Sequence, residues 1–337
     1  MDIAGLLAFA VGNQASDLHL SAGLPPLLRV HGDIRRVNLP PLSDEELQAM
    51  LQPLMADGQR RAYADGRECD FSFDLAELGR FRVNAYRQQR GAAAAIRHVP
   101  RQPPTLEATG APAICAELAM RTHGLVLVTG PTGSGKSTTL AAMVDHINRQ
   151  RAAHIVTIED PIEFIHEPRR ALVSQRQVGV HTHGFADALR AALREDPDVL
   201  LVGELRDTET IRLALTAAET GHLVLGTLHT ASAAKTVDRV VDAFPAGEKD
   251  AARALLAESL QAVVAQTLLK SADGLGRVAA HEVMLATPAI RNLIREGKTA
   301  QIVSAMQAGA GLGMQTLENA VAELLRRGRI APEAARV

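Results

Sequence analysis

The stretch Gly130-Pro131-Thr132-Gly133-Ser134-Gly135-Lys136-Ser137, followed by Thr138, fits the phosphate-loop pattern of glycines ahead of a lysine and a hydroxyl. Glycines let a backbone wrap inward so that successive N–H groups point at phosphate oxygens. A helix opening near Lys136 adds the positive end of its dipole. In that arrangement Thr132, Gly133, Ser134, Gly135, Lys136, Ser137 and Thr138 cradle a nucleoside triphosphate, expected to be ATP. Lys136 is then expected to bridge the β- and γ-phosphates and Ser137 to offer its hydroxyl to Mg2+.

Binding is not hydrolysis, and hydrolysis needs acids. Leu200-Leu201-Val202-Gly203-Glu204 is an apolar strand ending in a carboxylate. Gly203 stands where the usual metal-facing aspartate of such strands would be, so Glu204 is the expected Mg2+ holder, directly or through a water. Glu159-Asp160-Pro161-Ile162-Glu163 follows another apolar run, residues 154–158. Carboxylates at a strand's C-terminal end, beside the phosphate-loop strand, are well placed to meet a nucleotide. Glu163 is the candidate that orients the attacking water. On spacing alone each acid reads equally as a solvated loop residue or a helix cap. His222 and His229 flank the run 223–228, and on residues alone both read as structural. Of the two, His229 at the C-terminal end is the better placed to sense a γ-phosphate.

These groups need a scaffold. Residues 125–128, 154–158, 199–202 and 223–226 are short apolar runs separated by helical segments, which predicts a parallel sheet buried on both faces. The chain beyond about Glu248 reads as mostly helical: Leu255, Leu256, Ser259, Leu260, Val263 and Val264 keep a helical period, as do Leu317, Val321, Leu324 and Leu325. Before residue 98 the pattern differs. Short strands at 17–20, 27–30, 34–37 and 69–73, a longer stretch at 81–97 bent at Gly91, and a helix opened by Ser43 and Glu46 predict a small antiparallel α+β domain. Ile3, Leu6, Leu7 and Ala10 fall at helical spacing ahead of it. Val99-Pro100-Arg101-Gln102-Pro103-Pro104 marks a linker over 99–112, leaving 113–337 as the nucleotide domain.

Composition narrows the class. The 337 residues carry a net charge of -2, with 47% hydrophobic and 22% charged residues, an ordinary globular balance. With no global positive field and only 3% aromatic residues, a nucleic-acid partner is not expected. Cys69 and Cys115 stand far apart in no metal-ligand spacing, which fits a reducing cytoplasm. No apolar run reaches the ~20 residues that span a bilayer, so direct membrane insertion is not expected.

Together the phosphate loop, the acids at 159–163, the strand ending at Glu204 and the histidine segment 220–230 resemble the secretion ATPase superfamily. Ala15-Ser16-Asp17-Leu18-His19-Leu20-Ser21-Ala22-Gly23-Leu24-Pro25-Pro26 and Ala289-Ile290-Arg291-Asn292-Leu293-Ile294-Arg295-Glu296 are similar to motifs of its type IV pilus retraction branch, the second being needed there for retraction. The resemblance implies a PAS-like N-terminal domain joined to a RecA-like ATPase domain, in a homohexameric ring at the pilus base, peripheral to the inner membrane on its platform proteins. It further implies nucleotide bound between the two domains, and arginines arriving from a neighbouring subunit. The pool is Arg80, Arg82, Arg90 and Arg97, with Arg80 and Arg97 favoured and Arg194 and Arg206 as further interface candidates. The absence of a four-cysteine zinc module and of a long N-terminal extension points away from the assembly motors of the superfamily. An accessory retraction paralogue and a nucleotide-gated scaffold remain the alternative readings.

Overall fold

The structure, a computed structural model, describes residues 2–30, 32–75, 78–99 and 102–335. The chain divides into two compact units, Met1–Arg101 and Gln102–Val337. Pro100 and Arg101, within the predicted linker, lie outside the described residues.

In the first unit, helix α1 (Ile3–Gly12) buries Leu6, Leu7 and Ala10, and Asp2 caps it by accepting from the Gly5 N–H. Strands β1 (Asp17–Ser21), β2 (Leu27–Val30) and β3 (Asp33–Arg36) follow, then helices α2 (Asp44–Leu51) and α3 (Asp57–Ala64). Ser43 and Glu46 form the expected reciprocal cap of α2, with Ser43 Oγ accepting from the Glu46 N–H and the Glu46 carboxylate from the Ser43 N–H. Strands β4 (Cys69–Leu75), β5 (Gly79–Gln88) and β6 (Gly91–Val99) complete an antiparallel sheet of order β3-β2-β1-β6-β5-β4. The stretch 81–97, expected as one bent strand, is therefore a hairpin: Gln88 pairs with Gly91, and the chain reverses between them.

The second unit opens with two short helices, α4 (Leu106–Thr109) and α5 (Ile114–Ala119). It continues β7 (Gly124–Thr129), α6 (Lys136–Gln150), β8 (His154–Glu159), β9 (Leu172–Gln177), α7 (Phe185–Ala192) and β10 (Val199–Val202). Next come α8 (Thr208–Glu219), β11 (Leu223–Leu228), α9 (Ala233–Asp242), α10 (Lys249–Ser259), β12 (Leu260–Lys270) and β13 (Arg277–Leu285). Helices α11 (Pro288–Arg295), α12 (Ile302–Ala308) and α13 (Leu317–Arg326) follow. The sheet order is β13-β12-β7-β11-β10-β8-β9, parallel except for the β12–β13 pair.

Strand residues alternate between two cores, as period-2 geometry requires. Leu125, Leu127, Val156, Ile158, Leu200, Val202 and Val263 pack with α7 to α12 on one face. Val126, Val128, Ile155, Val199, Leu201, Leu225 and Val264 pack with α5 and α6 on the other. Coverage of both faces is why these strands read as unbroken apolar runs.

The helical reading beyond Glu248 needs correction. Helix α10 ends at Ser259, and Leu260, Val263 and Val264 lie in β12, which pairs with the phosphate-loop strand β7. A strand buried on both faces has no alternation to betray it, and its apolar residues also fit a helical stripe.

Candidate functional site

Parallel pairing brings one kind of strand end to one edge of the sheet. Leu228 of β11 is registered with Thr129 of β7, and Val202 of β10 with Ile158 of β8. The phosphate loop, the acids after β8, Glu204 after β10 and His229 after β11 therefore emerge at the same edge.

The loop itself has the geometry its glycines allow. Gly130 has φ +145°, and a Cβ there would collide with the Gln266 carbonyl oxygen and Ser134 Oγ. Gly135, at φ +90°, is the N-cap of α6 and provides no side chain to cap it. The first-turn N–H groups of residues 136–138 thus have no intrahelical acceptor, the arrangement that suits phosphate oxygens. Lys136 is buried, and its Nζ donates to the carbonyls of Gly130 and Pro131, both at 2.9 Å. An ammonium has three N–H groups, so one remains for a phosphate oxygen. Burial lowers the Lys136 pKa, while the charges of Glu204 and Glu163 oppose that shift. Both candidate acids thus act on the loop lysine through their charge.

Glu204 is held from two sides. Its Oε2 is 2.8 Å from an Arg206 guanidinium nitrogen and its Oε1 is 3.2 Å from His229 Nε2. Burial would raise this carboxyl, but Arg206 and His229 outweigh it and leave it below the ordinary range. Gly203 has a steric reason: a Cβ there would sit 3.1 Å from the Ile158 carbonyl oxygen and 3.4 Å from Glu159 Cα. A side chain there would press on the β8 backbone, which favours glycine, and the carboxylate stands on the next residue.

The acidic loop is anchored rather than free. Glu159 is partly buried and its carboxyl raised, chiefly by desolvation. It accepts from Thr157 Oγ1 at 2.7 Å and from Gln175 Nε2 at 3.2 Å. Gln175 also donates to the Phe164 carbonyl at 2.8 Å and accepts from the His166 N–H at 2.9 Å. Glu163 thereby keeps a fixed backbone while its side chain stays partly open. Arg206 also feels the charge of Asp160.

The structure thus gathers Lys136, Ser137, Glu163, Glu204 and His229. His222 is elsewhere: its Nδ1 lies 3.0 Å from the Ala217 carbonyl near the end of α8, a structural position. Arg80 and Arg97 belong to the first unit, where Arg80 pairs with Asp74 at 3.2 Å and Arg97 with Asp17 at 2.9 Å. Sequence reasoning missed Gln266, which touches the loop from β12, and Gln175; only the strand-like β-branched residues of 260–270 gave a signal for the first.

A doubly covered parallel sheet with a glycine loop, an N–H-lined helix start and converging carboxylates defines a P-loop nucleoside triphosphatase. The chain belongs to the type II/IV secretion system protein family, whose model matches residues 3–284. It is 59% identical over 336 residues, all of this chain and 97% of the relative, to the type IV pilus retractation ATPase PilT of Pseudomonas aeruginosa. It is also 59% identical over 311 residues, 92% of this chain and 83% of the relative, to the twitching motility protein of Neisseria gonorrhoeae. The crystal structure of the pilus retraction motor PilT with bound ADP superposes with a TM-score of 0.90 at 45% identity, covering 100% of this chain and 96% of that one. The α/β, RecA-like fold implied by the sequence is the fold of this family. Among the described residues no helix is long and apolar enough to cross a membrane.

Proposed function

We propose that this chain is a homohexameric, Mg2+-dependent ATPase motor that retracts type IV pili and so powers twitching motility. The observation that carries this reading is likeness along the whole chain, at 59% identity, to a relative named for that activity.

Each step falls to residues already placed. The N–H groups of residues 132, 133 and 135–138 and the Lys136 ammonium hold the phosphates, the Ser134 N–H being taken by the Pro131 carbonyl, and Ser137 and Glu204 are the groups that would hold the metal. Magnesium, when bound, supplies Lewis-acid neutralisation of the phosphate oxygens. Glu163, between Ile162 and Phe164 that Gln177 and Gln175 hold, orients the attacking water. His229 reports the γ-phosphate through Glu204, whose Oε1 lies 3.2 Å from its Nε2. Arg80 and Arg97 act on a neighbouring subunit's nucleotide, each giving up its present carboxylate partner to do so. Loss of the γ-phosphate contacts is then the event that releases the subunit for movement. The ring works against platform proteins at the pilus base, peripheral to the inner membrane on the cytoplasmic side.

The test is complementation. In a Pseudomonas aeruginosa strain lacking its own retraction ATPase, the wild-type chain is expected to restore twitching zones and pilus depolymerisation, and Glu204→Ala is not. The purified chain should turn over ATP as a hexamer by light scattering. A hexamer that binds ATP without turnover would favour the scaffold reading. Turnover that restores twitching only beside a second motor would make it the accessory paralogue.

A further inference from the structure

Gln266 lies on β12, in a stretch remote in sequence from the phosphate loop, yet its side chain is buried against that loop at 4% exposure. Both ends of its amide are used. Nε2 donates to the Ser134 carbonyl at 2.7 Å, and Oε1 accepts from Thr139 Oγ1 at 2.9 Å. Ser134 precedes the glycine that opens α6, and Thr139 lies in the first turns of that helix. One side chain therefore ties the loop to the helix start that carries Lys136 and Ser137.

The consequence follows from peptide geometry. In a planar trans peptide the C=O and N–H point in opposite directions. With the Ser134 carbonyl turned to Gln266, the Gly135 N–H of the same peptide points away from β12. The approach is close: a Cβ on Gly135 would lie 3.1 Å from Gln266 Nε2, and the Gln266 backbone carbonyl leaves no room for one on Gly130.

We propose that Gln266 is a positioning residue of the phosphate site, presetting the Ser134–Gly135 peptide and the first turn of α6 so that their N–H groups are aligned before phosphate arrives. This rests on reading residues 130–137 as the nucleotide loop, and its test separates the two claims. Preorganised donors contribute to binding because no reorganisation is needed on contact. An apolar side chain of the same length would leave the Ser134 carbonyl and the Thr139 hydroxyl unpaired and the loop free to turn.

The experiment uses the full-length chain and its variants Gln266→Met, Thr139→Val, Thr139→Ser and the double Gln266→Met/Thr139→Val. It measures dissociation constants for fluorescent ADP with Mg2+, KM and kcat for ATP, and melting without nucleotide. Gln266→Met is expected to raise the ADP dissociation constant and the ATP KM by about tenfold, with kcat changed less than threefold, at a temperature where the nucleotide-free protein is folded. Thr139→Val should do the same in part and Thr139→Ser recover most of the loss. The double variant should cost less than the product of the singles, because both break one clamp. If Gln266→Met does not fold, the Thr139 pair decides on its own. ADP affinity within twofold of wild type in Gln266→Met and in Thr139→Val would overturn the proposal, even if melting fell. A wild type that binds no nucleotide would overturn the reading of the loop itself.

Discussion

His229 and Glu204 meet across the ends of two adjacent parallel strands, with Nε2 of the imidazole 3.2 Å from Oε1 of the carboxylate. The other oxygen of Glu204 belongs to Arg206 at 2.8 Å. One acid is thus joined to the end of β11 and to the start of the loop after β10. A change in what Glu204 faces is felt by both.

The first consequence concerns rate. Removing the Glu204 carboxylate should abolish an interaction made chiefly as charge develops on the transferred phosphoryl group. Glu204→Gln is expected to lower kcat by about 10²–10³ with affinity for metal-free ADP changed little. Steady-state turnover beside an ADP titration checks this. Equal losses in both would show that Glu204 is a general binding residue instead.

A second concerns pH. Arg206 and His229 hold the Glu204 carboxyl below the ordinary range against the opposing effect of burial. A depressed carboxyl contributes stability above its unfolded pKa and loses it as pH falls through the folded value. With Glu204 acting in its ionised form, as proposed, the acid limb of kcat/KM is expected below the ordinary carboxylate range. Arg206→Ala removes the larger favourable partner and should move that limb to higher pH. A pH–rate profile of wild type and variant reads the shift, and coincident acid limbs would remove Glu204 from the titration.

Much of this site could be read from residue types, and the reason is local. The phosphate loop is contiguous, and strands 125–128, 154–158, 199–202 and 223–226 announce themselves because both faces are buried. Glu204 and His229 could be placed at strand ends once the strands were found. What stayed hidden depends on partners distant in sequence. Gln266 acts on Ser134, and Glu282 accepts from the Ala233 N–H, contacts that no spacing rule encodes. The strand 260–270 was concealed because Leu260, Val263 and Val264 satisfy a helical period as well as a buried strand. Likewise Gly91 looked like a bend in one strand, whereas a turn between Gln88 and Gly91 makes two.

Glu159 supplies a third prediction, with the opposite sign. Its folded pKa is raised by burial, so between the ordinary carboxylate value and the raised one the native state binds more protons than the unfolded chain. Stability from this group therefore falls as pH rises through that interval. Glu159→Gln keeps an oxygen to accept from Thr157 and Gln175 and carries no charge to bury. The variant should melt at or above the wild-type temperature at pH 8, with a flatter dependence on pH. A variant that melts well below wild type at pH 8 would mean that the ionised carboxylate itself holds the loop.

The last prediction concerns a single acid that serves two helices. Glu282 on β13 is buried, its Oε1 accepting from the Ala233 N–H at 2.6 Å and its Oε2 from the Leu317 N–H at 3.3 Å. Those residues open α9 and α13, so one carboxylate faces two helix N-termini, where negative charge is favoured. Helix α9 begins a few residues after His229, which places this acid close behind the histidine segment. Ala265, the register partner of Glu282, adjoins Gln266, so the β12–β13 hairpin touches the phosphate loop and the root of α9 within two neighbouring pairs. Glu282→Ala strands two buried N–H groups and should cost about 2–4 kcal/mol of stability. Glu282→Gln retains one acceptor oxygen and should cost about half as much. Denaturant unfolding of the two variants measures this order. Losses below about 0.5 kcal/mol in both would mean that Ser232 and Thr316, whose side chains accept from Lys235 and Asn319, suffice to cap the two helices without it.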